Sequence, residues 1–428
     1  MSEEINIFAK TNFRRLERPF GIRPDDRRRH MYVIGKTGMG KTNLIQNMAI
    51  QDIRSDRGVG IIDPHGELAE ECLKAVPSRR IGDVIYFNPA DRRFPVGFNL
   101  LDCKDPEAKD LVASAVVGVF QKLWANSWGV RLENTLRHAV LSLLEYPDAT
   151  LLGVLRILVD EKYREKIIEQ EKDPIVRLFW VKQFREYAPR FRVEVVESVQ
   201  NKVSQFLANS LMRNILAQPR SSFDLRQVMD SRKILIVNLA KGKIGDDNSA
   251  LLGAMMISKI QMAAMTRADI PEPERRDFYL YIDEFQNFAT KSFPTILSEA
   301  RKYRLNLILA HQYISQLEEE VQNAVFGNVG TLVSFRVGPM DTEVLGRMFM
   351  PTFTGGNLMN LSKYHIYVKL MIDGLAGDPF SAVSLEPLRL SDAGKNVEKI
   401  IRASRERYGT QRHMVESKIA RWSGMGRI

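Results

Sequence analysis

"HMYVIGKTGMGKTNLIQNMAI", residues 30–50, places a glycine-rich turn between a short apolar run and a stretch with helical spacing. Gly35-Lys36-Thr37-Gly38-Met39-Gly40-Lys41-Thr42 satisfies G-x-x-x-x-G-K-[ST] in the context that motif requires, a strand before it and a helix after it. Glycines let a backbone wrap around phosphates, and the helix N-terminus adds positive potential. The residues expected to cradle a nucleoside triphosphate are Gly35, Thr37, Gly38, Met39, Gly40, Lys41, Thr42 and Asn43. Within this Walker A loop, Lys41 reaches the β and γ oxygens and Thr42 ligates Mg²⁺.

Working outward, residues 31–34, 58–62 and 83–87 are short β-rich runs ending at turn signals, with a helical segment between the first two. That rhythm predicts βαβ units of a parallel sheet. From about 104 the texture changes to helical spacing: Leu111, Val112, Ala115, Val116, Val119, Phe120, then Leu132, Leu136, Val140 and Leu143. Asp173-Pro174 reads as an N-cap with proline at the first helical position, and 193–217 is a further amphipathic stretch. Strand pattern resumes at 233–239, 278–282, 306–310 and 331–337, near-continuous apolar runs of the kind buried on both sheet faces. The expected fold is α/β, a nucleotide-binding domain over 31–103 and 230–390 with a mainly parallel central sheet. An all-α insertion occupies 104–229, a basic N-terminal arm 1–30 and a basic C-terminal helical tail 391–428. "RADIPEPERRD" (267–277) reads as a surface loop.

The second half of the chemistry lies in "FYLYIDEF", where an apolar strand delivers Asp283 and Glu284 to its C-terminal edge, the edge at which parallel sheets bind ligands. In this Walker B pair, Asp283 is expected to hold hydrated Mg²⁺ and Glu284 to polarise the attacking water as general base. A GTPase would need an N-K-x-D guanine reader, and the nearest stretch, "NKVS" at 201–204, lacks the aspartate. ATP hydrolysis is therefore the expected reaction. "LILAHQYISQL" ends a strand at His311 and Gln312, and Gln312 is placed to sense the γ-phosphate. Arg301 in "SEARKYRLN" is the candidate arginine finger for a neighbouring subunit, with Arg336 and Arg304 as substitutes. "IIDPHGEL" puts Asp63, His65 and Glu67 after the second strand. A turn with His65 satisfied by hydrogen bonds and a supporting role near the nucleotide are its two readings, since no second His or Cys lies at metal-ligand spacing. Lys241 and Lys243, in the loop "AKGKIGDDN", are candidate DNA contacts facing a central channel.

The 428 residues are 44% hydrophobic, enough for a large core. Lys and Arg exceed Asp and Glu by 62 to 52, a net charge of +10 that favours a polyanionic partner. Residues 10–29 are rich in arginine, and 399–428 carry eight Lys or Arg against two Glu, although such runs also serve as solvated faces. Cys72 and Cys103 alone exclude a disulfide framework, which fits a reducing, cytoplasmic setting. "MSEEINIFAK" lacks the layout of a signal peptide, and no uninterrupted apolar run approaches the length of a membrane span.

Taken together, "IGKTGMGKT", "IIDPHGEL", "VIYFNPADRRFPVGFNLL", "YIDEFQNF", "ILAHQYISQL" and "SRERYG" resemble the cytoplasmic ATPase domain of type IV secretion and conjugation coupling proteins, within the wider FtsK/HerA group. The resemblance spans about residues 20–410. It implies a RecA-like P-loop NTPase with an inserted all-α domain, forming a homo-hexamer that uses ATP and Mg²⁺ to move DNA through its centre by sequence-independent backbone contacts. It supports Lys41, Thr42, Asp283, Glu284 and Gln312 in the roles given, and Arg301 as finger. It also implies secretion-channel or relaxase-type protein partners recruited by the all-α insertion. Such proteins usually carry an N-terminal membrane anchor, whereas this chain begins close to its phosphate loop, so a trimmed chain and a soluble relative whose work is not secretion are both expected forms; the expected location is cytoplasmic, at the inner face of the membrane if partners or a missing anchor hold it there. The alternative reading is an ATP-switched docking module for protein substrates with little motor activity.

Overall fold

The computed structural model describes residues 5–423 except Phe13, Arg15 and Lys104. Arg15 and Arg427, which belong to the two basic stretches, lie outside the described residues. The chain divides into two compact units, Met1–Phe87 with Leu225–Gly242 and Ala263–Ser404, and Asn88–Asp224 with Lys243–Met262 and Arg405–Ile428.

The first unit is built on a sheet of eleven strands. Its strands are β1 (Asn6–Thr11), β2 (Pro19–Ile22), β3 (Met31–Ile34), β4 (Gly58–Asp63), β5 (Val84–Phe87), β6 (Ile234–Asn238), β7 (Phe278–Ile282), β8 (Leu305–His311), β9 (Thr331–Ser334) and β10 (His365–Lys369), then, after the small hairpin β11 (Met371–Ile372) and β12 (Leu375–Ala376), β13 (Phe380–Ser384). The order is β2-β1-β13-β10-β9-β3-β8-β7-β4-β6-β5. From β9 to β5 every pairing is parallel, and these are the apolar runs expected from the sequence. Every residue of β3, β4, β6, β7, β8 and β9 is buried. β2, β1, β13 and β10 extend this block by antiparallel pairing. The basic stretch 1–30, set apart by charge alone, thus supplies two strands and the short helix α1 (Pro24–Arg27).

Helix α2 (Lys41–Arg54) follows the phosphate loop and packs Leu44, Ile45, Met48, Ala49 and Ile53 into the core; α3 (Glu67–Lys74) follows β4. Near its C-terminus α2 carries Asp52, which is fully buried. Arg27 grips it with two hydrogen bonds of 2.8 and 2.7 Å, the Tyr281 hydroxyl donates at 2.6 Å, and Asn6 and Arg57 donate at 2.9 and 3.1 Å. The Arg27 guanidinium also lies 3.7 Å from the centre of the Tyr279 ring. These cations and donors outweigh the cost of burial and hold the Asp52 carboxyl below its ordinary range. The expected surface loop 267–277 needs correction at its first residue. Arg267 is fully buried, and its guanidinium is tolerated there because all three of its nitrogens donate, to Asp230 and to the carbonyls of Tyr303 and Arg276.

The second unit contains no strand among its described residues. Its helices include Lys109–Leu123, Val130–Glu145, Leu151–Val159, Glu161–Gln170, Pro189–Leu207 and Arg412–Trp422, and most of Asp246–Met265. Asp173 caps Pro174–Leu178 by accepting from the amides of Ile175 and Val176 at 2.7 and 3.3 Å. That helix continues as a π-helical turn, Phe179–Phe184, whose buried Trp180 donates to Ser142 at 2.8 Å.

Replacing Asp52 with alanine strands the Arg27 charge in the core and is expected to cost about 3–5 kcal/mol. Urea unfolding of Asp52→Ala checks this, and a loss below about 1 kcal/mol, the size of a surface pair, contradicts it.

Candidate active site

Parallel pairing brings the chemistry together. β3 runs into the phosphate loop, β4 ends on Asp63, β7 delivers Asp283 and Glu284, and β8 ends on His311, with Ile34 level with His311 and Ile62 level with Ile282. Two glycines of the loop are required by space. A Cβ on Gly35 would stand 2.5 Å from that of Phe335, and one on Gly40, whose φ is +115°, would stand 2.7 Å from the Tyr364 ring. The Lys41 ammonium donates to the carbonyls of Gly35 and Lys36 at 2.6 and 3.3 Å, so it is curled into the loop it is expected to share with phosphate.

Thr42 donates its hydroxyl to Asp283 Oδ2 at 3.2 Å, placing the two expected Mg²⁺ ligands side by side. Glu284 is buried in a left-handed conformation, φ 48° and ψ 49°. A residue other than glycine held there stores strain of about 1–3 kcal/mol, a recurrent feature of functional positions. Its Oε1 accepts from the Gln312 amide at 2.7 Å, and the Gln312 carbonyl in turn accepts from the Thr37 hydroxyl at 3.1 Å. Thus Lys41, Thr42, Asp283, Glu284, Gln312 and Thr37 converge. The Met39 carbonyl accepts from Tyr364 N at 3.0 Å, and Asn43 donates to the Leu385 carbonyl at 2.7 Å, so these two side chains do not join that cluster through a hydrogen bond.

The remaining candidates make none of these side-chain hydrogen bonds. Arg301 is exposed on the turn Ala300–Tyr303. Arg304 is in a left-handed conformation with its guanidinium 3.5 Å from Glu272, which disfavours it as a substitute finger. Arg336 is half-buried, and its carbonyl accepts from Lys36 N at 2.8 Å. Lys241 and Lys243 are exposed on the helical turn Lys241–Ile244. In "IIDPHGEL" the organising group is Asp63 rather than His65: the buried Asp63 carboxylate accepts from His65 N at 2.8 Å and Ala69 N at 2.9 Å, whereas the His65 side chain is exposed. Sequence reasoning missed Gln286, which donates to Glu284 Oε2 at 2.6 Å; its place two residues after the glutamate was the available signal.

The family profile of the type IV secretion-system coupling protein DNA-binding domain matches residues 20–345. The chain belongs to this family. The plasmid coupling protein TrwB with the non-hydrolysable GTP analogue GDPNP is similar in structure, at TM-score 0.62 and 17% identity over 87% of this chain and 89% of that one. TrwB with the ATP analogue ADPNP gives TM-score 0.63 and 17% identity over 90% of each chain. VirB4 of Thermoanaerobacter pseudethanolicus gives 0.58 and 16%, over 91% of this chain and 98% of that one. The fold is the RecA-like P-loop fold of these proteins. Among curated proteins, none matches by sequence. No helix among the described residues is long and apolar enough to cross a membrane.

Burial, and after it crowded carboxylates, sets the electrostatics of this coupling-protein site. Burial, then Asp63 and Glu284, raise the Asp283 carboxyl to about 7, against the opposing pull of Lys41 and the Thr42 hydroxyl. Burial lowers Lys41, with Glu284 and Asp283 acting the other way. His311, whose Nδ1 lies 2.8 Å from the Tyr32 hydroxyl, is pushed down to about 3 by burial and by Lys41. His30, bonded to the Leu297 carbonyl and the Leu307 amide, is pushed down to about 4, again mainly by burial.

The two kinds of group oppose each other in acid. The histidines bind protons more readily when unfolded, so their contribution to stability is lost as pH falls below the ordinary histidine value of 6.5. Asp283 binds its proton more tightly when folded, so its contribution is lost as pH rises from the ordinary 3.8 through about 7. In the absence of divalent cations, Asp283→Asn is therefore expected to make the slope of unfolding free energy against pH more positive, by about 1.4 kcal/mol per unit between about pH 5 and 6.5. Urea titrations at several pH values test it, and parallel slopes for the two proteins would contradict the raised Asp283.

Proposed function

We propose that the chain is an ATPase of the coupling-protein type that assembles as a ring and moves DNA through its centre by sequence-independent contacts. The observation that carries the reading is the convergence of Lys41, Thr42, Asp283, Glu284 and Gln312 on one phosphate loop. The similar structures described with GDPNP, with ADPNP and with ADP and Mg²⁺ support a nucleotide at this place, and the family's DNA-binding description supports the nucleic-acid partner.

In the proposed mechanism the loop amides and Lys41 hold the β and γ phosphates, with Lys41 exchanging its carbonyl partners for phosphate oxygens. The donor set fits Mg²⁺: a hydroxyl and a carboxyl stand together beside the further carboxylates of Asp63 and Glu284, whose charge Lys41 opposes. When bound, Mg²⁺ would offset charge on the β and γ oxygens. Glu284 orients and deprotonates the attacking water, and Gln312, already joined to Thr37, reports the γ-phosphate to the loop beyond β8. Arg301 acts in a neighbouring subunit's site, and Lys241 and Lys243 contact the DNA backbone.

A second reading, a docking module for protein substrates, is favoured by one observation. Ile175, Leu178 and Val181 recur at three-residue spacing and are 65, 44 and 44% exposed. A motor whose turnover is insensitive to DNA, together with capture of protein partners through residues 104–229, would favour it.

At low salt, ATP turnover is expected to rise with added single- or double-stranded DNA and to lose that stimulation steeply as salt increases. Lys41→Ala is expected to abolish nucleotide binding or turnover, whereas Glu284→Gln should retain bound, unhydrolysed ATP. Wild-type turnover in Glu284→Gln removes the general-base role. Arg301→Ala is expected to lower turnover by about 10³-fold or more while leaving nucleotide binding intact. Mixing that variant with Lys41→Ala should restore part of the activity, because each protein supplies what the other lacks. No recovery on mixing contradicts action in a neighbouring site.

A further inference from the structure

The carboxylate of Glu284 is held from two sides. Gln312 donates to Oε1 at 2.7 Å and Gln286 donates to Oε2 at 2.6 Å. The two amides stand on different supports. Gln312 is at the end of β8 and also accepts from Thr37, at the exposed tip of the phosphate loop, so a γ-phosphate arriving at that tip competes for it. Gln286 stands on the turn Phe285–Asn287, only two residues from the group it holds.

That turn is fixed by its aromatic flanks. Phe285 and Phe288 are fully buried. The Phe285 ring stacks on Phe293 with centroids 5.5 Å apart and meets His311 edge-on at 5.1 Å and Tyr32 at 6.1 Å. The amides of Asn287, Phe288 and Ala289 bond back to the carbonyls of Glu284 and Phe285 at 2.9–3.0 Å. The platform beneath Gln286 is therefore core, and the one beneath Gln312 borders the phosphate loop.

We infer that Gln286 is the positioning residue of the proposed general base: it keeps the Glu284 carboxylate aimed while Gln312 changes partners with the γ-phosphate. A carboxylate offers about four lone-pair directions, so two amide donors leave room for water. With Gln312 drawn to phosphate, a left-handed glutamate lacking Gln286 is free to swing, and displacement of a reacting group by an ångström costs about 10²-fold in rate. The inference rests on the general-base reading of Glu284 and adds the group that aims it.

The test uses the full chain with Gln286→Leu, which removes the donor, and Gln286→Glu, which sets a like charge against Glu284. Turnover, KM for ATP, binding of a fluorescent ATP analogue and thermal unfolding are measured for each. The expected result is a kcat lowered about 10- to 100-fold, more for Gln286→Glu, with KM and nucleotide affinity within about twofold of wild type. In a Glu284→Gln background Gln286→Leu should add no further loss, because a positioning residue has nothing left to position. A folded Gln286→Leu protein with kcat within about twofold of wild type overturns the inference, as does a full additional loss in the Glu284→Gln background. If Gln286→Leu fails to fold, Gln286→Glu, equal in size and polar, carries the same criteria. Wild-type turnover in Glu284→Gln alone is a different failure, that of the general-base reading beneath it.

Discussion

The ion pair between Arg27 and Asp52 ties the rear of the phosphate-loop helix to the strand that carries the acidic pair. α2 is fourteen residues long, about 20 Å, with Lys41 and Thr42 at one end and Asp52 near the other. Tyr281 and Asp283 are two residues apart at the end of β7, so they face the same side of the sheet. The first meets Asp52 at the rear of the helix and the second meets Thr42 at its front. A helix held at both ends against one strand cannot slide along it, and that fixes the distance between the phosphate loop and the carboxylates. Arg27 and Asn6 bring α1 and β1 into the same contact, so the antiparallel end of the sheet also bears on the register of the site.

What stands at the front is a deliberately unbalanced cluster of charge. Asp63, Asp283 and Glu284 crowd together at the ends of two adjacent parallel strands, and Lys41 is the cation acting on the pair. Asp63 is satisfied by two backbone amides, and Glu284 by two side-chain amides. Asp283 also has two donors, the Thr42 hydroxyl and the Glu284 amide, yet burial and the two neighbouring carboxylates drive it toward its proton, and a group in that condition gains most from a divalent cation. The "DPHG" stretch therefore contributes to the site through its aspartate, which presses on Asp283 across one strand spacing, while His65 points elsewhere.

Much of this was legible in the residues. The phosphate loop, the acidic pair and Gln312 were recognisable because local sequence dictates a strand, a glycine turn and a helix start, and because strands buried on both faces read as unbroken apolar runs. The antiparallel strands were not. β10, "HIYVK", alternates between half-buried and buried positions and carries His and Lys, so its apolar content is diluted; β1 is similarly mixed. Arg267 read as loop surface because a fully buried arginine is rare, and only its partners, contributed from positions 230, 276 and 303, make it tolerable.

The sequence by itself determined the type of chemistry, since a phosphate cradle needs nothing beyond eight consecutive residues and the helix they open. Only the tertiary structure decided which distant groups act on it: the crowding by Asp63, the two-sided hold on Glu284 and the anchoring of α2 by Arg27. Those depend on which strands lie side by side and in what register. That pairing is set by long-range burial, and no local pattern encodes it.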